Sequence, residues 1–396
     1  MKKETAGCPG FQFSGCAAGL KKNGEKDLGL LYSETPAAAA GVFTQNCVKA
    51  ACVQHGMERI KLGTCQAVIV NSGNANCCTG GQGLQDNLSV IRLAARQLGI
   101  PEETVIAAST GVIGKPLPVE KIEAAVPALF DSLSASGLSG FAQAIMTTDT
   151  VPKIVTRSGA VGSVPYTITG VAKGSGMIRP DMATMLCFVC TDAKVDAGIL
   201  QKMLAEGTDR SFNRITVDGD TSTNDMVLLL ANGMSGAEIR EPEQIENFQS
   251  RLDQVLTELA RMVVKDGEGA TKLVEISVDG ADTDHNARCI ADTIAHSNLV
   301  KTAIYGQDPN WGRITAAAGR SGAEVDQDLM DLFFGDAALV LQGKWQGREA
   351  EARAAEIMKK NEIKITLDLN LGSETDSFLF CDFSENYVKI NADYRT

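Results

Sequence analysis

The chain has 396 residues, 44% of them hydrophobic and 22% charged, which is the usage of a globular protein and excludes a disordered chain. That length is more than one ordinary core organises, so two lobes or one large layered domain are expected. A formal net charge of -12 excludes a surface that tracks a phosphate backbone, which leaves a small molecule as the expected partner and no nucleic acid.

In chain order, the apolar run at 67–70 predicts a strand. Leu84, Leu88, Ile91, Ala95 and Leu98 then recur at helical spacing and stop at Gly99 with Pro101 beyond, which predicts a helix with its end signals. Further strands are predicted at 187–189 and 226–230. A long helix is predicted from near Pro242 to Gly267, with Ile245, Phe248, Leu252, Val255, Leu256, Leu259, Met262 and Val263 as its apolar stripe. The run at 274–278 and the alternating segment 363–369 complete the strands. The class is therefore mixed α/β, and the strands with consecutive apolar residues suit a sheet covered by helices on both faces. The stretch 280–285, with Gly280, Asp282 and Asp284, is the expected boundary between a large first lobe and a smaller last one.

No stretch reaches the ~18 apolar residues that a membrane span needs. The start, Met1-Lys2-Lys3-Glu4-Thr5, runs into polar residues and glycine where a secretion signal would turn apolar, so a cytoplasmic protein without membrane contact is expected. The eleven cysteines are odd in number and unaccompanied by such a signal, which argues against a disulfide framework. Cys187 and Cys190 have CxxC spacing but sit in an apolar run with no second pair. They and Cys77-Cys78 are expected in the core, with no metal.

Three familiar signatures fail. Gly114-Lys115 ends no nucleotide loop, because Ser109 stands where the first glycine belongs and Pro116 where the Ser or Thr belongs. Asp218-Gly219-Asp220-Thr221-Ser222-Thr223-Asn224 opens like a calcium loop, yet its sixth and twelfth positions are Thr223 and Leu229 in place of Gly and Glu, so a rigid turn is expected. His55, His285 and His296 belong to no serine triad, since no GxSxG elbow accompanies them.

The informative segment is Lys173-Gly174-Ser175-Gly176-Met177-Ile178-Arg179-Pro180-Asp181-Met182-Ala183-Thr184-Met185-Leu186. Glycines let backbone amides crowd a reacting group, but a threonine hydroxyl is a poor nucleophile without an adjoining base. Breaking the Ala183–Thr184 bond by attack of the Thr184 hydroxyl would supply that base, since a new α-amine titrates near ~8 on the same residue.

This segment resembles the signature of the ornithine acetyltransferase family, the glutamate N-acetyltransferases of arginine biosynthesis, in which the Thr of Met-Ala-Thr-Met-Leu follows the self-cleavage site. Similar blocks stand at 71–76, 109–114, 147–153, 211–225, 308–313 and 390–396, so the resemblance spans nearly the whole chain. It implies a fragment 1–183, a fragment 184–396 and a heterotetramer of two of each. It further implies stacked β-sheets sandwiched by helices, similar to but distinct from N-terminal-nucleophile hydrolases, with a smaller C-terminal lobe.

Carried over residue by residue, the resemblance makes Thr184 the nucleophile and new N-terminus and makes Thr110 and Gly111 the oxyanion hole. Thr147, Lys173, Thr184, Glu268, Asn391 and Thr396 become substrate contacts. Lys173 is expected to hold the carboxylate of N-acetylornithine and Glu268 its ammonium. A role for Thr396 implies that the C-terminus folds back over the site. Arg179 and Asp181 depart from the more neutral residues of relatives just before the cleavage point. The implied reaction passes acetyl from N-acetyl-L-ornithine to L-glutamate through acetyl-Thr184, with no metal or cofactor, and leaves acetyl-coenzyme A open as a second donor. The alternative is a β-aminopeptidase-like hydrolase of the same architecture, which passes its acyl group to water and generally carries Ser at the nucleophile position.

Overall fold

The computed structural model describes residues 7–22, 24–179 and 185–392. The chain forms two compact units, the larger within 1–213 and 220–263 and the smaller within 214–219 and 264–396. Both mix helices and strands, the expected class.

The larger unit contains β1 (Phe11–Cys16), β2 (Leu28–Phe43), β3 (Thr64–Asn74), β4 (Val105–Val112), β5 (Lys153–Val161), β6 (Val164–Lys173) and β7 (Leu186–Thr191), followed by the strand Met226–Ala231. They make an eight-stranded sheet whose order is β4, β3, β2, Met226–Ala231, β7, β6, β5, with β1 paired to β2. β3 runs parallel to β4, and Met226–Ala231 runs parallel to β7. Successive side chains of one strand point to opposite faces. Thus Val68, Val70 and Ile106 enter a core with Val53 and Phe141, while Ile69, Val105 and Ala107 enter a second core with Ile91, Ala94 and Ile122. Each such aliphatic side chain contributes roughly 1.5–3 kcal/mol by leaving water. Every residue of β7 and of Met226–Ala231 is buried, which explains their unbroken apolar runs.

β2 carries none of the usual strand signals around Ala37-Ala38-Ala39-Ala40, and it outruns its neighbour β3, whose pairing ends at Ala38↔Thr64. At Gly41 the open edge is satisfied by a side chain: Gln201 accepts from the Gly41 N–H at 3.0 Å and donates to its carbonyl at 3.1 Å. The long helix Pro242–Lys265 buries Phe248, Leu252, Val255, Leu256 and Leu259. It packs so closely on β6 that a β-carbon on Gly170 would stand 2.7 Å from the Leu259 side chain.

The helix predicted over 84–98 is Gly80–Leu98 and ends on Gly99 at φ +66°. Its buried face is turned from the predicted stripe. Leu84 and Leu88 are only half-buried, while Gly83, Asp86, Asn87, Val90, Ile91, Ala94 and Ala95 face inward. Polar contacts cause the turn: Asn76 donates to the Gly83 carbonyl at 2.9 Å, and the Asn87 amide lies 2.7 Å from Nδ1 of His55.

In the smaller unit, Leu273–Ala281 lies between Glu362–Asp368, parallel to it, and Glu374–Cys381, antiparallel, within a seven-stranded sheet. The alternation in 363–369 is real, since Ile363, Ile365 and Leu367 are buried with Val274, Ile276 and Ile290. The boundary expected at 280–285 is not one. Gly280, at φ +66°, turns the chain out of its strand, and Thr283 caps the next helix, Asp284–Ala295, by accepting from Asn286 N–H. The division falls near 263/264 instead, within the last turn of the long helix and just ahead of the Gly-containing loop 266–269.

Candidate active site

Thr110 and Gly111 end β4 against the end of β3, in the register Ser72↔Thr110 and Gly73↔Gly111. Gly111 holds φ +128° and Gly73 φ +101°, a region open to glycine. Around this crest the side chains bond to one another and to backbone. Ser109 donates to Asn71 at 2.7 Å, Asn71 donates to the Asn74 carbonyl at 2.8 Å, and Asn74 donates to the Pro116 carbonyl at 2.9 Å. Thr110 is buried, but its hydroxyl makes no hydrogen bond among the described residues. Such rigidity suits a group that must meet a developing charge without moving.

Asn224 links this crest to the rest of the sheet. Its amide donates to the Ser109 carbonyl at 2.8 Å and to the Ala75 carbonyl at 2.7 Å, and Thr223 donates to its Oδ1 at 2.7 Å. Two residues on, Met226 N–H donates to the Met185 carbonyl at 3.0 Å. Met185 follows Thr184 in sequence and is buried. The turn once comparable to a calcium loop thus bonds through its own side chains. Asn224 N–H meets Ser222 Oγ at 3.1 Å and Thr221 Oγ1 donates to the Arg179 carbonyl at 3.1 Å. No cluster of metal-binding side chains exists among the described residues.

Lys173 ends β6, opposite Leu186, and is buried. Beside it Asp149 accepts from Lys153 Nζ at 2.7 Å, Gly174 N–H at 2.7 Å and Thr147 N–H at 3.0 Å. Burial pushes the Asp149 carboxyl up, but the Lys153 and Lys173 ammoniums outweigh it and hold the group below the usual carboxylate range. Thr148 and Ser175 hydroxyls share a 2.7 Å hydrogen bond. Thr110, Gly111, Thr147 and Lys173 therefore belong to one unit and to strand ends or the loops beside them.

Glu268 and Asn391 belong to the smaller unit, where Asn391 Nδ2 donates to Glu268 Oε2 at 2.8 Å. Glu268 is buried and not the exposed loop acid that its Gly-flanked position suggests. Gly269 behind it, at φ +69°, closes on Tyr387, since a β-carbon there would stand 2.6 Å from the Tyr387 nitrogen. Ala183, Thr184, Asp181 and Thr396 lie outside the described residues. Sequence reasoning missed Asn71, Asp149 and Asn224 as individuals, although each stands inside a motif block.

A model of the ArgJ family matches residues 12–396. The chain belongs to the ArgJ family. It is 51% identical over 389 residues to the arginine biosynthesis bifunctional protein ArgJ of Geobacter sulfurreducens, covering 98% of this chain and 99% of that one. The corresponding protein of Symbiobacterium thermophilum is 49% identical over 391 residues, covering 98% and 97%. Among solved structures, the ArgJ of Bacillus halodurans is 45% identical with a TM-score of 0.50, covering 52% of this chain and 97% of that chain.

Proposed function

We propose that this protein is a self-cleaving acyltransferase that moves acetyl from N-acetyl-L-ornithine to L-glutamate through Thr184. The carrying observation is the Asn224 bridge. It joins the Thr110–Gly111 crest, through Met226, to Met185, the residue after the proposed nucleophile. In this reading the Thr184 hydroxyl attacks the Ala183 carbonyl, and water then frees an Ala183 carboxylate and a Thr184 α-amine. The amine takes the hydroxyl proton as Thr184 attacks the acetyl carbonyl of the first substrate. Thr110 and Gly111 stabilise the resulting oxyanion, a contribution of ~3 kcal/mol per donor. Ornithine leaves, and the glutamate amine attacks the acetyl ester to give N-acetylglutamate and free Thr184.

Lys173 pairs with the substrate α-carboxylate and Glu268 with the ornithine ammonium, with Thr147, Asn391 and Thr396 as further contacts. The Bacillus halodurans chain is covered to 97% by 52% of this one, so it is about half as long, the size of one cleavage product. Two fragments of each kind would form the assembly, and the enzyme would need no cofactor. The eleven unbridged cysteines favour a cytoplasmic setting. No described helix is long and apolar enough to cross a membrane. Relatives bear the name bifunctional protein, and on that ground we extend the reading to acetyl-coenzyme A as a second donor.

The test is N-terminal sequencing and acetyl exchange on the wild type and Thr184→Ala. Wild type should give a fragment beginning at Thr184, and the variant should remain one chain without exchange. A cleaved or active Thr184→Ala chain sinks the reading. Ornithine release that continues at full rate without glutamate would favour the β-aminopeptidase-like alternative.

A further inference from the structure

Cys77 and Cys78 follow directly on the crest segment 71–76 and take no part in the proposed mechanism. They divide between two environments. Cys77 is 1% exposed, in the core with Ala75, Ile106 and Ala108, whereas Cys78, expected in the core as well, is exposed. Their sulfurs nevertheless meet at 3.9 Å.

The turn that brings them together is held from several sides. Asn76 and Cys78 have φ of +45° and +57°, a left-handed region that Asn tolerates and few other side chains take. Asn76 N–H donates to Asn74 Oδ1 at 2.8 Å, its amide donates to the Gly83 carbonyl at 2.9 Å, and Thr79 Oγ1 donates to Asn76 Oδ1 at 2.9 Å. The Cys77 carbonyl accepts Gly114 N–H at 3.0 Å, and the Val112 carbonyl accepts Ala75 N–H at 3.0 Å. Val112 follows Gly111 directly, so these two bonds tie the cysteine turn to the strand end proposed to hold the oxyanion.

Adjacent cysteines have a chemistry of their own. Neighbouring α-carbons are ~3.8 Å apart across a trans peptide, whereas disulfides usually span about 4.4–6.8 Å. A bridge between Cys77 and Cys78 would therefore be strained, and strained, exposed bridges are the ones that small thiols reopen readily. Closing it brings the sulfurs from 3.9 Å to about 2.05 Å. Much of that motion falls on the peptide between the two residues, whose carbonyl is the one bonded to Gly114.

We propose that Cys77 and Cys78 form a thiol switch: a low-molecular-weight disulfide closes the pair, which withdraws the Cys77 carbonyl from Gly114 and slows acetyl transfer until a small thiol reopens it. The effect on turnover rests on the acetyl-transfer reading, while the bridge itself does not. The exposed Cys78 thiolate attacks one sulfur of the small disulfide and expels a thiolate, leaving Cys78 in a mixed disulfide. Cys77 gives its proton to water and attacks the Cys78 sulfur, expelling the second thiolate. The protein pair loses two electrons and two protons, and the small disulfide gains them as two thiols.

The experiment incubates purified, cleaved enzyme with oxidised glutathione, blocks the remaining thiols with iodoacetamide, and reads peptide masses beside the rate of acetyl exchange. It compares wild type with Cys77→Ala and Cys78→Ser. In wild type the peptide carrying both cysteines should lose two hydrogens, exchange should fall about tenfold or more as the crest loses its aim, and dithiothreitol should restore both. Cys77→Ala and Cys78→Ser should each exchange acetyl at the rate of reduced wild type and keep that rate through the oxidation, the former with at most a mixed disulfide on Cys78. Either variant alone suffices if the other fails to fold. A wild-type peptide that stays unbridged overturns the proposal, as does a bridged enzyme at the reduced rate or a variant that loses activity alongside wild type. A reduced wild-type enzyme without acetyl exchange overturns the acetyl-transfer reading itself, and the peptide masses then still decide the bridge.

Discussion

Gly111 packs on Gly73 with no room for a side chain. A β-carbon on Gly111 would fall 2.4 Å from the Gly73 carbonyl carbon and 2.6 Å from the Asn74 nitrogen, both backbone atoms that cannot swing aside. The pair closes the end of two parallel strands and sets the direction of the amides proposed to face the oxyanion.

Gly111→Ala should therefore cost about 2–3 kcal/mol of unfolding free energy from backbone strain alone. Loss of aim should lower acetyl transfer by roughly a hundredfold or more. Urea unfolding and initial rates check both. Wild-type stability together with wild-type turnover would remove the glycine pair from the argument.

The Asp149–Lys153 pair has both side chains wholly buried. Lys153→Met leaves a buried carboxylate without its nearest partner and should destabilise the protein by about 3 kcal/mol. The pH dependence follows from the depressed Asp149 carboxyl. Its contribution is fully present above the unfolded value near ~3.9 and is lost as pH falls through the lower, folded one. Asp149→Asn should thus be less stable than wild type at pH 6, and the gap should narrow below about pH 4. A gap constant from pH 6 to pH 3 in urea midpoints would contradict this.

Asn224 donates both amide protons to carbonyls. Asn224→Ala should cost about 1–3 kcal/mol and reduce kcat with little change in the KM for N-acetylornithine. Asn224→Asp should be worse than Ala, because an ionised carboxylate only accepts and would face two carbonyl oxygens. If Asp were the milder change, the bridge would not be what positions the crest.

Cys47 and Cys78 are exposed, while Cys52, Cys65, Cys187 and Cys190 are buried. Burial pushes the Cys52 thiol up to about 11 and the Cys65 thiol up to about 12, and raises Cys187 and Cys190 as well. A maleimide should modify Cys47 and Cys78 first in the native protein, since the thiolate is the reacting form. Peptide mass mapping reads the sites, and labelling of Cys187 or Cys190 without denaturant would contradict their place in the sheet.

The amino-acid sequence by itself determined the elements whose signals are local. The helix ending at Gly99 and the apolar strands 187–189 and 226–230 needed only periodicity and end residues, because burial on one or two faces writes itself into hydrophobic spacing. It also determined the family, through motif blocks along the whole chain. The strand Leu28–Phe43 was not legible, since its alanines suit a crowded sheet centre and its open edge at Gly41 is closed by Gln201, 160 residues away. The tertiary structure alone decided that Asn224 meets Ser109 and that Lys21 lies against Gly73. It also decided that the long helix, and not the stretch 280–285, ends the larger unit. Those pairings join residues far apart in the chain through single hydrogen bonds or close contacts, which no local pattern of side chains encodes.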